Sequence, residues 1–265
     1  MRARVTIPTV KTAWLWSKNC EVKKILLNGK FVSTVCTGQG KDILLLHGYL
    51  SNKESFYYQI KFLSQYFKVT APDIAGFGKS SPLDRPYSVD DYCDWLEEFI
   101  KKCRIESPHI LAHSFGARVA LKYLGGRRGS ADKLIITGGA GIVKPRSPRY
   151  IRRVKAYRRV KKLFPKFAEK HFGSEEYRTL SPLMKESYKL IVNEDLRGCA
   201  SNIKNGTLLL YGRNDTVTPP DEEGEIFKNL IVGSRLCILD GGHFCFSEHP
   251  DEFNNEIFKF LIDEV

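Results

Sequence analysis

Short apolar runs recur along this chain, and segments with helical spacing separate most of them. A short run that is apolar at every position is typical of a strand buried in the middle of a parallel sheet. The runs lie within DILLLHGYL, KVTAPDIAG, HILAHSF, KLIITGGAG, TLLLYGRND and SRLCILDGGHF. Strands that alternate with helices are joined by right-handed crossovers. The sequence therefore predicts an α/β fold with a mostly parallel central sheet and helices on both faces.

Two local signals add detail to this prediction. The segment KKILLNGKFVSTVCTG contains two alternating runs joined by Asn28-Gly29, which favours a two-residue hairpin turn. In SVDDYCDWLEEFIKKC, Ser88 precedes an amphipathic pattern with acids in its first turn and lysines in its last. The first segment predicts a β-hairpin, and the second predicts a helix that begins after Ser88.

Size and cysteine pattern limit the class of protein. A chain of 265 residues fits one large domain, or one domain with an insertion. Its seven cysteines are scattered and none forms Cys-x-x-Cys, so they indicate neither a metal knuckle nor a disulfide framework. No secretory signal is evident, and no stretch reaches the roughly 18 apolar residues of a membrane span. These features predict a cytoplasmic protein with reduced thiols.

Chemically useful residues follow several of the predicted strands. His47-Gly48, Ser114, Asp215 and His243 each come directly or shortly after an apolar run. Functional groups of a parallel sheet collect at the carboxyl ends of its strands, so we expect these residues to share one edge. The chain order serine, aspartate, histidine is the order found with a nucleophile elbow on such a sheet.

The elbow makes a second demand on the sequence around Ser114. A serine on a tight strand-to-helix turn crowds the residues two before and two after it, so both must be small. Ala112 and Gly116 meet that condition. Ser114 also stands where a serine could simply cap the following helix, and these residues alone leave that alternative open.

Five motifs between about residues 40 and 250 stand in register with one known family. They are His47-Gly48, the stretch DIAGFGKS at 73–80, the stretch AHSFG at 112–116, GRND at 212–215 and GGH at 241–243. On these motifs the chain resembles the α/β-hydrolase fold superfamily, in the capped branch of esterases, carbon–carbon bond hydrolases, perhydrolases and epoxide hydrolases. Dehalogenases and epoxide hydrolases carry an aspartate at the elbow, and the serine here argues against them.

The resemblance implies a role for each matching residue. Ser114 would be the nucleophile, His243 the general base and Asp215 the carboxylate that orients the imidazole. The backbone N–H groups of Tyr49 and Phe115 would form the oxyanion hole. The implied reaction is hydrolysis of an ester or related carbonyl compound through an acyl-enzyme, with no metal or organic cofactor. A carbon–carbon bond hydrolase or a perhydrolase would use the same three residues.

The resemblance also implies the domain organisation. Residues 1–141 and 201–265 would form the core, and residues 142–200 would form a basic helical cap inserted in it. His113 and Tyr157 are candidate walls of the pocket, although His113 could equally support the turn. Arg118 is expected to face outward or to support its helix.

Other residues compete for these roles. Asp240 and Asp195 are alternative carboxylates, and His249 is an alternative histidine that we expect at the surface. Cys245 lies two residues after His243, where packing is the simpler interpretation than a second nucleophile. His47 is expected to serve the fold.

The formal charge of +12 is concentrated in the predicted cap. Residues 144–170 hold twelve lysines or arginines and a single acid, Glu169. This pattern is also found in helices that lie on anionic membranes. We favour a cap helix that lays its apolar face over the active site and leaves its charges in water, where they could attract anionic substrates. No nucleic-acid motif accompanies it. A binding protein or receptor with little turnover, or a peripheral membrane binder, remains as an alternative on the same fold.

Overall fold

The computed structural model describes residues 21–126, 128–144, 152, 155 and 180–263. Strands and helices alternate through most of this length. The strands are β1 (Glu21–Leu27), β2 (Lys30–Thr37), β3 (Asp42–Leu46), β4 (Lys68–Pro72), β5 (His109–His113), β6 (Lys133–Thr137), β7 (Gly206–Gly212) and β8 (Arg235–Leu239). The helices are α1 (Tyr57–Leu63), α2 (Val89–Cys103), α3 (Phe115–Gly125), α4 (Pro182–Val192), α5 (Arg197–Ala200), α6 (Glu225–Leu230), α7 (Cys245–Glu248) and α8 (Pro250–Ile262).

All eight strands form one sheet in the order β1-β2-β4-β3-β5-β6-β7-β8. β1 and β2 form an antiparallel hairpin, and β2 also pairs antiparallel with β4. The remaining neighbours are parallel from β4 to β8. The predicted mostly parallel sheet is confirmed, and its six parallel strands bring their carboxyl ends to one edge.

The two local predictions are also confirmed. Asn28 and Gly29 both adopt positive φ, 48° and 77°, as the tight hairpin turn requires. Ser88 caps α2 through a reciprocal capping box with Asp91, since each side chain binds the other residue's backbone N–H. These contacts explain why a polar pair before an apolar pattern fixes the start of α2.

Helices cover both faces of the sheet, as β3 shows. Leu44 and Leu46 pack on the side of α2 and α3, whereas Ile43 and Leu45 pack on the side of α1 and α8. All four side chains are buried, and each contributes roughly 1.5–3 kcal/mol to stability. Burial on both faces is the reason that the strand is apolar at every position rather than alternating.

The connection from β6 to β7 contains α4 and α5. It coincides with the predicted cap at 142–200, whose middle part, including Tyr157 and most of the basic stretch 144–170, lies outside the described residues. None of the helices in the described part of the chain is long and apolar enough to cross a membrane.

Candidate active site

Ser114 occupies the single residue between β5 and α3. Its backbone has φ 49° and ψ −104°, a region that residues with a Cβ rarely adopt. It stands at the N-cap position of α3, but its side chain makes no capping hydrogen bond. The hydroxyl therefore does not serve as a helix cap, and the turn that holds it is strained.

Close packing against β3 fixes this turn. A Cβ added to Gly116 would lie 2.7 Å from the carbonyl carbon of Leu46 and 2.9 Å from the carbonyl oxygen of His47. Ala112 is fully buried on the other side of the elbow. The predicted need for small residues is met, and the structure gives its reason at Gly116, which touches the backbone of the neighbouring strand.

His243 and Asp215 form a hydrogen-bonded pair at the same edge of the sheet. Nδ1 of His243 lies 2.8 Å from Oδ2 of Asp215. The other carboxylate oxygen accepts the backbone N–H groups of Val217 and Thr218 at 2.8 and 2.9 Å. The Thr218 hydroxyl donates to Oδ2 at 2.8 Å. These bonds leave the carboxylate one orientation, toward the imidazole.

The surroundings keep Asp215 ionised although it is buried. Burial alone would raise the pKa of its carboxyl group. The hydrogen bonds from His243 and Thr218, and the attraction to His243 when its ring is protonated, outweigh burial and lower the pKa of Asp215 below its ordinary value. An ionised carboxylate at Nδ1 places the proton of a neutral imidazole on that nitrogen. Nε2 then carries the lone pair.

His113 connects the serine turn to His243. Its Nε2 donates to the backbone oxygen of His243 at 3.0 Å, and the two rings lie 4.7 Å apart. The His113 side chain is buried, and burial holds its pKa well below the usual range. A neutral, buried ring in this place favours the supporting role over that of a pocket wall. In the described part of the chain, the His243 ring makes its hydrogen bonds at Nδ1, and none joins it to Ser114.

The predicted oxyanion residues flank the serine turn. Phe115 is the first residue of α3, so its N–H belongs to the first turn of the helix, whose donors have no partner within the helix. Tyr49 follows β3, and its ring packs edge-on against Phe115 at 5.5 Å. The Tyr49 hydroxyl donates to the backbone oxygen of Met184 in α4 at 3.0 Å. Tyr49 thus contacts both the elbow and the helix above it.

The competing residues lie in other environments. Asp240 is exposed beside Arg213, and Asp195 accepts the N–H of Val143. His249 is exposed, as expected. Cys245 is buried, and burial raises the pKa of its thiol to about 12, so it packs in the protonated form.

The sequence did not predict the buried contacts of Lys53, Thr218 and Arg118. Lys53 pairs with Asp73, and Thr218 contacts both Asp215 and His243. Arg118 does not face outward, since it is buried and donates to the backbone oxygens of Ile191 and Glu194, both at 2.9 Å. Its side chain therefore links α3 to α4 and to the residues that follow α4. Of the three, only Thr218 carried a sequence signal, because its hydroxyl lies three residues after Asp215.

Comparisons with known proteins found a matching family model and relatives similar over most of the chain. The model of the family described as alpha/beta hydrolase fold matches residues 42–195. The AB hydrolase superfamily protein YisY of Bacillus subtilis is 29% identical over 250 residues, which cover 84% of this chain and 92% of that protein. The 2-hydroxy-6-oxo-6-(2'-aminophenyl)hexa-2,4-dienoic acid hydrolase of Metapseudomonas resinovorans is 25% identical over 250 residues, 84% of this chain and 85% of its own.

Solved structures show the same fold. An esterase from Exiguobacterium antarcticum superposes with a TM-score of 0.74 at 24% identity, covering 92% of this chain and 100% of that chain. A bromoperoxidase from Bacillus anthracis gives a TM-score of 0.76 at 21% identity, with the same coverage of both chains. At these identities the likeness establishes the architecture.

Proposed function

Since the chain belongs to the alpha/beta hydrolase fold family, we propose that it is a serine hydrolase that cleaves an ester or a related carbonyl compound through an acyl-enzyme. The observation that carries the proposal is the backbone of Ser114, which is strained and leaves its hydroxyl unused as a cap. A strained backbone conformation persists only where contacts with the surrounding structure hold it in place, and such conformations are concentrated at functional sites. The His243–Asp215 pair stands at the same sheet edge.

The His243–Asp215 pair supports an acylation step of the following kind. The Ser114 Oγ bonds to the carbonyl carbon of the substrate while His243 Nε2 takes the hydroxyl proton. The carbonyl π electrons move onto oxygen, where the N–H groups of Tyr49 and Phe115 stabilise the charge. Each such donor contributes about 3–4 kcal/mol to the transition state. The intermediate collapses by breaking the bond to the alcohol oxygen, which takes the proton from His243 and leaves.

Deacylation repeats these steps with water. His243 Nε2 removes a proton from a water molecule, whose oxygen bonds to the acyl carbon. The bond to Ser114 Oγ then breaks, and Oγ recovers the proton as the acid departs. Asp215 stays ionised throughout and stabilises the imidazolium that forms twice per cycle. The cycle requires no metal or organic cofactor.

A fluorophosphonate probe tests the assignment directly. We expect covalent labelling of the wild-type protein at Ser114, located by peptide mass spectrometry, and no labelling of Ser114→Ala. Ser107→Ala is a matched control, because Ser107 is also a serine with positive φ, but it is exposed and has no role in the scheme. Labelling that persists in Ser114→Ala would refute the nucleophile assignment.

The bond that is cleaved is a second question. The similarity to a dienoic acid hydrolase and to a bromoperoxidase keeps carbon–carbon bond hydrolysis and perhydrolysis as second candidates. We propose the ester reaction first because the acyl-enzyme cycle described above consumes only the substrate and water, whereas perhydrolysis also consumes a peroxide. Turnover of p-nitrophenyl acetate and butyrate, set against a diketone panel and a peroxide assay, separates the three. Labelling without turnover on any panel would favour the binding-protein alternative.

We also propose that residues 142–200 form a helical cap that selects the substrate. In support, α4 contacts the site through the hydrogen bond from Tyr49 to Met184 and through the ring of Tyr188, 5.3 Å from that of Tyr49. Arg152 and Lys155 are exposed, as charges that attract anionic substrates need to be. Flotation with anionic and neutral liposomes at low and high salt tests the alternative of membrane binding.

The cytoplasmic location stays a prediction. The six cysteines in the described part of the chain are free thiols, which agrees with a reducing compartment. Fractionation of cells that express the chain measures the location.

A further inference from the structure

A buried lysine lies at the end of the loop that carries Tyr49. Lys53 follows the 47–52 segment after β3, and only 2% of its side chain is exposed. Its ammonium group donates to Asp73 Oδ2 at 2.8 Å and to Ser33 Oγ at 3.0 Å. Its backbone N–H donates to the other oxygen of Asp73 at 2.8 Å. One residue thus binds both oxygens of one carboxylate.

Stability alone does not account for this pair. Removing a lysine and an aspartate from water has a large solvation cost for each ion, and apolar residues of similar volume often stabilise a fold as well or better. The ion pair has a property that an apolar pair lacks, since charged hydrogen bonds fix direction and distance. A geometric role therefore explains Lys53 better than an energetic one.

Asp73 is the centre of a second loop. Its Oδ2 also accepts the backbone N–H of Lys79 at 2.8 Å, and its own backbone oxygen accepts the Ser80 hydroxyl at 2.6 Å. A Cβ on Gly78 would lie 2.5 Å from Oδ2, so the chain must be glycine there to wrap around the carboxylate. The pair with Lys53 therefore joins the loop after β3 to the loop after β4.

His47, at the other end of the first loop, binds the residue that follows Asp73. His47 Nε2 accepts the backbone N–H of Ile74 at 2.9 Å. Burial lowers the pKa of His47 to about 4, so its ring is neutral and Nε2 can accept. Between these anchors Leu50 has φ 56°, a left-handed conformation that strains a residue with a Cβ. Tyr49 lies between His47 and this strained residue.

We propose that Lys53 is a positioning residue that acts through Asp73 to hold the 47–53 loop, and with it the Tyr49 N–H, where the oxyanion forms. The inference rests on the proposed function. Lys53 and His47 anchor the two ends of the loop to adjacent residues, Asp73 and Ile74. The anchors hold the loop against the strain at Leu50.

The test replaces both charges together, because a single substitution would leave a buried charge unpaired. In the double variant Lys53→Met with Asp73→Asn, the loop keeps its volume and loses its charged anchor. We expect kcat to fall about 10- to 100-fold with KM changed by less than about 3-fold, since misplacing one donor affects the transition state. Amide hydrogen exchange in peptides that cover 47–56 should become faster.

Lys133→Met is the matched control. Lys133 is also a buried lysine, but it begins β6 at the opposite end of the sheet and donates to the backbone oxygens of Phe260 and Leu261 at 2.9 and 3.3 Å. Its loss should lower stability without changing kcat or exchange in the 47–56 peptides. A common loss of kcat in both variants would show general loosening and overturn the inference.

The outcomes separate this inference from the proposed function. A wild-type protein that the fluorophosphonate labels, with a folded double variant of unchanged kcat, overturns the positioning role alone. A wild-type protein that is not labelled overturns both. If the double variant does not fold, Ser33→Ala takes its place, because it removes one partner of the Lys53 ammonium. We then expect a 2- to 5-fold loss of kcat, and an unchanged kcat would count against the inference.

Discussion

Replacing Ser114 with glycine should make the protein more stable while it abolishes activity. Ser114 holds φ 49° and ψ −104°, where its Cβ is strained. Such a conformation costs of order 1–3 kcal/mol, and glycine releases that cost. Glycine also gives the unfolded chain more freedom, which offsets about 0.5–1 kcal/mol. The net gain in the free energy of unfolding should be about 0.5–2 kcal/mol.

Ser114→Ala separates strain from chemistry. Alanine removes the hydroxyl and keeps the Cβ, so this variant should lose activity and stay near the wild-type stability. Ser107→Gly is the converse control, since Ser107 is exposed, has φ 38° and takes no part in the scheme. It should gain stability and keep full activity. Urea unfolding gives the free energies, and thermal unfolding should shift by roughly 2–4 °C for each kcal/mol in a chain of this size.

One pattern of results would refute this reasoning. If Ser107→Gly gains stability and Ser114→Gly is no more stable than Ser114→Ala, then the serine turn stores no strain. The main structural support for a nucleophile at this position would then be lost. A Ser114→Gly variant that retains hydrolytic activity would refute the assignment by a second route.

Two further predictions concern residues of the site, and a third concerns a buried histidine at the opposite end of β5. Asp215→Asn should lower kcat about 10⁴-fold by removing the charge that orients the imidazole, whereas Asp240→Asn, at an exposed carboxylate, should leave kcat unchanged in the same ester assay. Gly116→Ala should destabilise by about 1–3 kcal/mol in urea, because its Cβ would press on the β3 backbone, and Gly198→Ala, with open space around it, should not. Burial lowers the pKa of His109 to about 4, so the unfolded chain binds a proton at this residue more readily than the folded protein does. The stability that His109 contributes is therefore lost as pH falls from about 6.5 to about 4. In urea titrations at pH 4.5 and 7.5, His109→Gln should reduce this loss of stability at the lower pH.

Signals between residues close in sequence made the strands of the sheet, and the residues at their carboxyl ends, predictable. The Asn28-Gly29 turn and the cap at Ser88 depend on neighbours within a few residues, so the sequence carries them in full. The apolar runs also predict buried parallel strands, because burial on both faces leaves no alternation. The order of the strands was not predicted, since the position of β4 between β2 and β3 depends on contacts far apart in the chain.

The buried polar residues were harder to foresee. Lys53 lies in the polar stretch SNKES, which looks like an exposed loop, and its burial arises from the approach of Asp73 in another loop. Arg118 lies in an apolar helix and looks like a residue at the solvent edge, but α4 covers it. A lone charged residue has the same local pattern whether water or a distant backbone surrounds it. Only the tertiary contacts distinguish the two cases.

The positions of backbone strain show what these buried contacts hold in place. Among the described residues, positive φ outside glycine occurs at Asn28, Leu50, Arg104, Ser107 and Ser114. Asn28 serves the hairpin turn, and Arg104 ends α2 in the left-handed conformation.

Leu50 and Ser114 follow the carboxyl ends of β3 and β5, and each adjoins a residue whose N–H is proposed to bind the oxyanion. Tyr49 precedes Leu50, and Phe115 follows Ser114. A left-handed residue turns the peptides on either side of it away from the direction of the strand. The Phe115 N–H belongs to the peptide that follows Ser114, so strain at Ser114 turns this group directly. The Tyr49 N–H lies one peptide before those that adjoin Leu50, so strain at Leu50 acts on it through the path of the loop. Relaxing either residue should therefore weaken transition-state binding more than substrate binding.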